Sequence, residues 1–205
     1  MIAHHETEAR HLLEALPAVT EAELLGLRDR LADSAAAQGV LDVAYRTLDT
    51  PVGSLLLAAT EKGLVRVAYE VQGHERALES LAALVSPRIL RAPARLDAAS
   101  REIDEYFAGR RRTFDLPLDF SLSRGFRAAV LSRLPDIGYG HTASYADVAA
   151  AAGRPRAFRA VGTACATNPL PVVVPCHRVI RSDGSLSGYA GGPAAKQALL
   201  TLEAA

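Results

Sequence analysis

The stretch Leu170-Pro171-Val172-Val173-Val174-Pro175-Cys176-His177-Arg178-Val179-Ile180 most constrains what this chain can fold into. Three β-branched residues in a row predict a short extended segment buried on both faces. Pro175 ends it: proline lacks a backbone N–H and biases Val174 toward extended geometry, so Cys176 is expected at a fixed exit from the apolar wall. A cysteine placed there is shielded yet aimed.

Such a thiol becomes a nucleophile only as thiolate, and a free cysteine with a pKa of about 8.5 is mostly protonated at neutral pH. His177 is the nearest group able to take the proton. Adjacent residues in an extended chain point oppositely, so the pair needs a turn or a bridging water. A third group then orients the imidazole, and Glu203, near the end of a helical stretch, is the candidate. Lowering a thiol pKa by two units takes roughly 2.7 kcal/mol, within reach of a few charge-assisted hydrogen bonds. Most free cysteines are simply small buried hydrophobes. The context here is more specific, because Pro-Cys-His-Arg follows a β-branched run and precedes Ser182-Asp183-Gly184-Ser185-Leu186-Ser187-Gly188-Tyr189-Ala190-Gly191-Gly192.

A chain of 205 residues, 49% of them apolar, can bury one good core or two small ones, and two small domains are expected. Two cysteines, Cys165 and Cys176, with no CxxC pair and no secretory leader, point to a reducing cytoplasm. No apolar run approaches the length of a membrane span. The formal net charge is zero but unevenly spread: residues 1–50 hold four arginines against nine acids, whereas residues 121–205 hold nine Lys or Arg against four acids. A basic C-terminal part suits an anionic partner, and with a helix-turn-helix it suits nucleic acid.

Taken in order, residues 1–40 read as a helical extension, with helices from His5 to Leu16 and from Thr20 to about Ala37 separated by Pro17. Thr20 and Glu23 form a capping box, and Leu24, Leu25, Leu27 and Leu31 supply an apolar face expected to pack on the rest of the chain. His4, His5 and His11 lack cysteines or a spaced carboxylate partner and do not read as a metal site. Residues 41–118 read as an α/β domain. Alternation from Leu41, Leu55–Thr60 and Leu64–Tyr69 predicts an antiparallel sheet, His74–Val85 and Leu96–Ala108 predict helices, and Thr113–Leu118 reads as an extra strand. Arg110-Arg111-Arg112 fits the favourable end of a helix dipole. Asp119–Arg124 leads into residues 121–205, expected to be mostly helical. There Gly125–Leu134 is one helix, Ser144 caps a short one with Asp147 in place of the usual Glu, and a second follows from about Arg156 to Thr167. Two short helices around a Gly-containing turn form a helix-turn-helix pattern. Pro193–Glu203 is the last helix, with Leu199, Leu200 and Leu202 inward and Lys196 outward.

The block around Cys176 resembles the active-site block of the O6-alkylguanine-DNA alkyltransferases, also called methylated-DNA–protein-cysteine methyltransferases, and the likeness extends over about residues 41–205. The resemblance implies an N-terminal α/β domain similar to ribonuclease H, a C-terminal helix-turn-helix domain, and repair of O6-alkylguanine in duplex DNA by one irreversible transfer to Cys176 in a cytoplasmic monomer that uses no cofactor. Carried over by position, His177 and Glu203 complete a water-linked proton network and Asn168 braces the segment. Tyr145 donates a proton to N3 of guanine, and Arg159 replaces the extruded base. The small residues Ala160 and Gly162, with Thr163, face the minor groove, and Val179, Tyr189 and Ala190 read the guanine edge. Extruding an O6-alkylated base is cheaper than extruding a well-paired one. The sequence departs from the family at Leu131, where tryptophan is common, at Ala190, where some members have serine, and at Phe158, which is bulkier than usual. Zinc-binding members use N-terminal cysteines that this chain lacks, so no metal is expected. The helix carrying Cys165 suggests that this second thiol packs near the extruded base. The alternative is a non-catalytic alkylated-DNA-binding protein, against which Cys176 itself argues.

Overall fold

The computed structural model describes residues 20–204. The helix expected from His5 to Leu16 and the histidines at 4, 5 and 11 lie outside the described residues. Helix α1 (Glu21–Ala37) begins where its capping box places it: the Thr20 N–H donates to Glu23 at 2.8 Å, and the Glu23 N–H donates back to Thr20 Oγ1 at 3.2 Å. The expected burial of its leucine face is not what the structure shows. Only Ala32 and Ala35 are buried, against Leu41, Ala44 and Ala92, whereas Leu24, Leu25, Leu27 and Leu31 are exposed, Leu31 by 56%. The helix meets the fold through its last turns, where alanines permit close approach.

Strands β1 (Val43–Thr50), β2 (Gly53–Thr60) and β3 (Gly63–Tyr69) form antiparallel hairpins, and a short β4 (Ile89–Arg91) pairs parallel with β1, giving the order β3-β2-β1-β4. The parallel strand was not expected, because three residues are too few to display a period of two. Along β2 the pleat sends Leu55, Leu57 and Ala59 to one face and Leu56 and Ala58 to the other. The second set packs beneath helix α2 (His74–Leu84) through Ala77 and Leu81. The first set joins helix α3 (Asp97–Phe107) in a larger core. Thr113–Leu118 is not the extra strand expected. Pro117 has no ladder donor, and only Leu118 bridges to Leu64, with the Leu64 N–H donating to Pro117 O at 2.8 Å. This contact is so close that a Cβ on Gly63 would lie 2.1 Å from the Pro117 oxygen.

The C-terminal part holds α4 (Phe126–Leu131), α5 (Tyr145–Ala151), α6 (Phe158–Ala166) and α7 (Gly192–Glu203). Helix α4 is shorter than expected, since Leu134-Pro135-Asp136 forms a separate 3-10 turn. Ser144 caps α5 with Asp147 as the reciprocal acceptor. A two-residue β5 (Ala143–Ser144) pairs parallel with β6 (Val179–Ile180), which ties the start of the helix-turn-helix to the segment just after Cys176. The large core is continuous through this part: Val130, Leu131, Val148, Val161, Leu170 and Leu199 belong to the same cluster as Leu55 and Ile103.

Candidate active site

Val172, Val173 and Val174 are buried, as their side chains demand, but they form a turn and not an extended segment. Prolines at 169, 171 and 175 deny the segment a regular ladder, so the remaining N–H groups find partners locally. The Val174 N–H donates to Leu170 O at 2.8 Å, and Val172 sits at φ 71°. For a β-branched residue that region costs on the order of 1–3 kcal/mol and persists only where surrounding packing enforces it.

Asn168 is the side chain that laces the turn together. Its Oδ1 accepts from the Leu170 N–H at 3.0 Å, and its Nδ2 donates to Val174 O at 2.9 Å and to Cys176 Sγ at 3.1 Å. Beyond Pro175 the chain makes a 3-10 turn over Cys176–Arg178. This is the turn that lets neighbouring side chains act in one site. Cys176 is 3% exposed. Burial pushes its thiol up to about 11, against the opposing pull of the Asn168 hydrogen bond and the Lys196 charge.

His177 is fully buried and its Nε2 lies 2.9 Å from Glu203 Oε1. Burial lowers the imidazole pKa, and Glu203 works in the opposite direction. Glu203 is pushed upward by its own burial, yet donors from His177, Arg178 and Tyr106 outweigh that and hold it at about 2. A carboxylate only accepts, so His177 Nε2 must carry the proton. Nδ1 of the neutral ring, which has no hydrogen-bond partner among the described residues, is then the free base. Arg178 grips the same carboxylate twice, Nε to Oε2 and Nη2 to Oε1, each at 2.8 Å. The Tyr106 hydroxyl donates to Oε1 at 2.7 Å, and the Gly140 N–H donates to Oε2 at 3.3 Å. Gly140 has φ 74°, and a Cβ there would lie 2.8 Å from Glu203 O, so glycine is required on both counts.

Lys196 was expected to face outward and instead is 1% exposed. Its Nζ donates to Val179 O at 2.7 Å and to Ser187 Oγ at 3.0 Å, and Ser187 in turn shares a hydrogen bond with the Tyr145 hydroxyl. Burial lowers the Lys196 pKa and raises that of Tyr145, which therefore stays protonated at neutral pH. Tyr189 is half-buried, its ring edge-on to His177 with centroids 6.3 Å apart, and its hydroxyl meets that of Tyr69 at 3.0 Å. Ala190 is half-buried beside it, and Val179 is buried. Cys165 is buried on the inner face of α6, and burial pushes its thiol up to about 12.

The outer face of α6 presents Arg159, Ala160 and Thr163, all exposed, with Gly162 half-buried where a Cβ would sit 3.9 Å from the Tyr145 ring. The Arg159 guanidinium lies 5.5 Å from the exposed Phe158 ring. The structure thus brings Cys176, His177, Glu203 and Asn168 into one buried cluster and leaves Arg159 on a separate exposed helix face. Sequence reasoning missed Arg178, Tyr106, Tyr69, Ser187 and the inward turn of Lys196. For Arg178 the signal was its place in the same Pro-Cys-His-Arg block as the thiol. Among the described residues, no three His, Cys, Asp or Glu side chains group as metal ligands.

Comparisons with known proteins match this chain to one family. A family model described as "6-O-methylguanine DNA methyltransferase, ribonuclease-like domain" matches residues 43–120, and one described as "6-O-methylguanine DNA methyltransferase, DNA binding domain" matches residues 125–205. A methylated-DNA–protein-cysteine methyltransferase of Methanosarcina barkeri is 38% identical over 78% of this chain and 96% of its own length. The constitutive one of Bacillus subtilis is 40% identical over 76% of this chain and 92% of its own. Among solved structures, Mycobacterium tuberculosis OGT in complex with DNA superposes with a TM-score of 0.68 at 38% identity, covering 78% of this chain and 92% of that one.

Proposed function

The chain belongs to the methylated-DNA–protein-cysteine methyltransferase family, and on that premise we propose how its own residues carry out the transfer. The protein is a DNA-repair methyltransferase that acts by direct reversal. Our reading is that the alkyl group comes from O6-alkylguanine in duplex DNA and that Cys176 accepts it. The observation that carries this is the buried cluster in which Asn168 donates to Cys176 Sγ while Glu203 holds His177 with Nδ1 free.

In this reading the Cys176 proton passes to His177 Nδ1, directly or through one water, and the imidazolium is stabilised by the Glu203 carboxylate. The thiolate attacks the alkyl carbon, an S–C bond forms, and the C–O bond breaks with its electron pair left on guanine O6. Tyr145, protonated at working pH, donates its proton to N3 of the departing guanine, and the proton taken up by His177 returns through water to the tyrosinate, so that no net charge is left. With the thiol near 11, the free thiolate at pH 7 lies about 5 kcal/mol uphill, so deprotonation is coupled to attack and not completed beforehand. The product is a thioether with no route back, which makes the protein a single-use reagent.

Arg159 and the small outer residues of α6 serve the DNA side. A nucleotide must leave the stack to reach a buried thiol, and Arg159 fills the space it vacates. Val179, Tyr189 and Ala190 border the extruded base. We read the protein as a monomer. The division into residues 1–40, 41–118 and 121–205, and a cytoplasmic location, remain part of this proposal.

Intact mass after incubation with O6-methylguanine duplex is the deciding measurement. One methyl per chain, mapped to Cys176 and abolished by Cys176→Ser, is the expected result. A methyl on Cys165, or unchanged mass with or without product, overturns it. Arg159→Ala is expected to slow transfer from the duplex about 10-fold or more, as lost stacking substitutes do, and to leave reaction with the free O6-methylguanine base near wild type. Equal slowing of both would place Arg159 in the chemistry.

A further inference from the structure

Glu203 Oε1 accepts three hydrogen bonds, from His177 Nε2 at 2.9 Å, Arg178 Nη2 at 2.8 Å and the Tyr106 hydroxyl at 2.7 Å. The first two come from the turn that carries Cys176. The third comes from α3, ninety-seven residues away in the N-terminal half of the chain. We propose that Tyr106 is a positioning residue for alkyl transfer, its hydroxyl fixing Glu203 Oε1 and setting how strongly that oxygen holds the His177 N–H. This rests on the assignment of Cys176, His177 and Glu203 as the transfer machinery.

The geometry distinguishes Tyr106 from a core aromatic that merely found a partner. Its ring is packed among Phe107, Phe114 and Tyr139, with centroids 5.3, 5.3 and 6.1 Å away, so the position of the hydroxyl is over-determined by apolar contacts. Burial, with Glu203 adding to it, raises the phenol pKa, so the group is a donor throughout the working range. It reaches the same oxygen that His177 uses, and any change in that oxygen's basicity is felt directly at the imidazole.

The other charged and titratable groups around the pair are accounted for. Arg178, on the turn, and Lys196, on α7, both oppose protonation of His177, while Glu203 favours it. Tyr139 donates to Leu202 O and carries the Arg112 guanidinium 5.3 Å over its ring. Tyr189 stands edge-on to His177 and is bonded to Tyr69, and Cys176 is the proton source. Removing the Tyr106 O–H leaves every one of these in place. It takes one donor from Oε1, makes the carboxylate more basic and strengthens its hold on the His177 proton. Transfer needs the neutral imidazole, so the acid limb of the rate should move to higher pH.

The test is the pH dependence of methyl transfer from O6-methylguanine duplex by full-length protein, together with the His177 titration followed by NMR. For Tyr106→Phe, which keeps the ring, both the acid limb and the His177 midpoint are expected to rise by about half a pH unit or more. Replacing Tyr106 by a fluorotyrosine, a stronger donor that retains the hydroxyl, is expected to move both the opposite way. A merely structural role would change thermal stability and leave both midpoints fixed. Midpoints that coincide with wild type in both variants overturn the proposal while methylation of Cys176 stands, whereas a methyl found elsewhere than Cys176 removes its foundation.

Discussion

At Glu203 five donors converge on one carboxylate: His177 Nε2, Arg178 Nε and Nη2, the Tyr106 hydroxyl and the Gly140 N–H. Its pKa falls from 4.5 to about 2 in the folded protein. A depressed carboxylate contributes stability that is complete above its unfolded value and is lost as pH falls through the folded one. The window is therefore from about 4.5 down to about 2, and the contribution is about 3 kcal/mol. Glu203→Gln should remove that pH-dependent component from thermal melts. It should also cost about 3 kcal/mol at neutral pH by leaving Arg178 buried without its counter-charge, and slow transfer by about 10² or more. A melting curve that still loses stability through the same window as wild type would contradict this. The clustering of Cys176, His177, Asn168 and Glu203 was legible in the sequence, the first three through a recognisable block and Glu203 as the acid near the end of the last helix. Tyr106 as a partner of Glu203 was not, since a hydrogen bond across ninety-seven residues has no local signature. Lys196 was assigned outward on residue type, although it stands three residues before buried Leu199 and seven before buried Glu203 on the inward face of α7.

Helices and strands obey their patterns where one face meets one environment, and they depart where that condition fails. Alternation located β1, β2 and β3, and reciprocal caps located the starts of α1 and α5. The valine run signalled burial correctly, but burial and extension are separate properties, and prolines at 169, 171 and 175 turned the segment back on itself. On α1 the pattern named the wrong residues for the contact: the leucines are exposed, and Ala32 and Ala35 make the interface. Leu24→Ser and Leu27→Ser should therefore each change stability by no more than about 0.5 kcal/mol. Ala32→Leu should destabilise by about 1–3 kcal/mol, because extra methylenes have no room against Leu41 and Ala92. Chemical denaturation of the three variants checks the order, and a larger loss at Leu27 than at Ala32 would reverse the account.

Across the whole molecule, the larger core runs without a break from the sheet through α3 into α4, α6 and α7. Tyr69 and Tyr106 add polar ties from the N-terminal half to Tyr189 and Glu203. Residues that share one core lose their packing together, so calorimetry should show a single cooperative transition with matching calorimetric and van't Hoff enthalpies. Two resolved transitions would mean that the shared core contributes little. The burial of Cys176 has a further consequence, for storage. A reagent that works once must survive the wait, in a cell supplied with peroxides and soft electrophiles. Raising the thiol from about 9 to about 11 cuts its thiolate fraction at neutral pH about 100-fold, and 3% exposure removes most collisions as well. Iodoacetamide should accordingly label Cys176 at least about 100-fold more slowly in the native protein than after unfolding. With Cys176 as the proposed acceptor, burial acts as packaging that holds the sulfur in reserve.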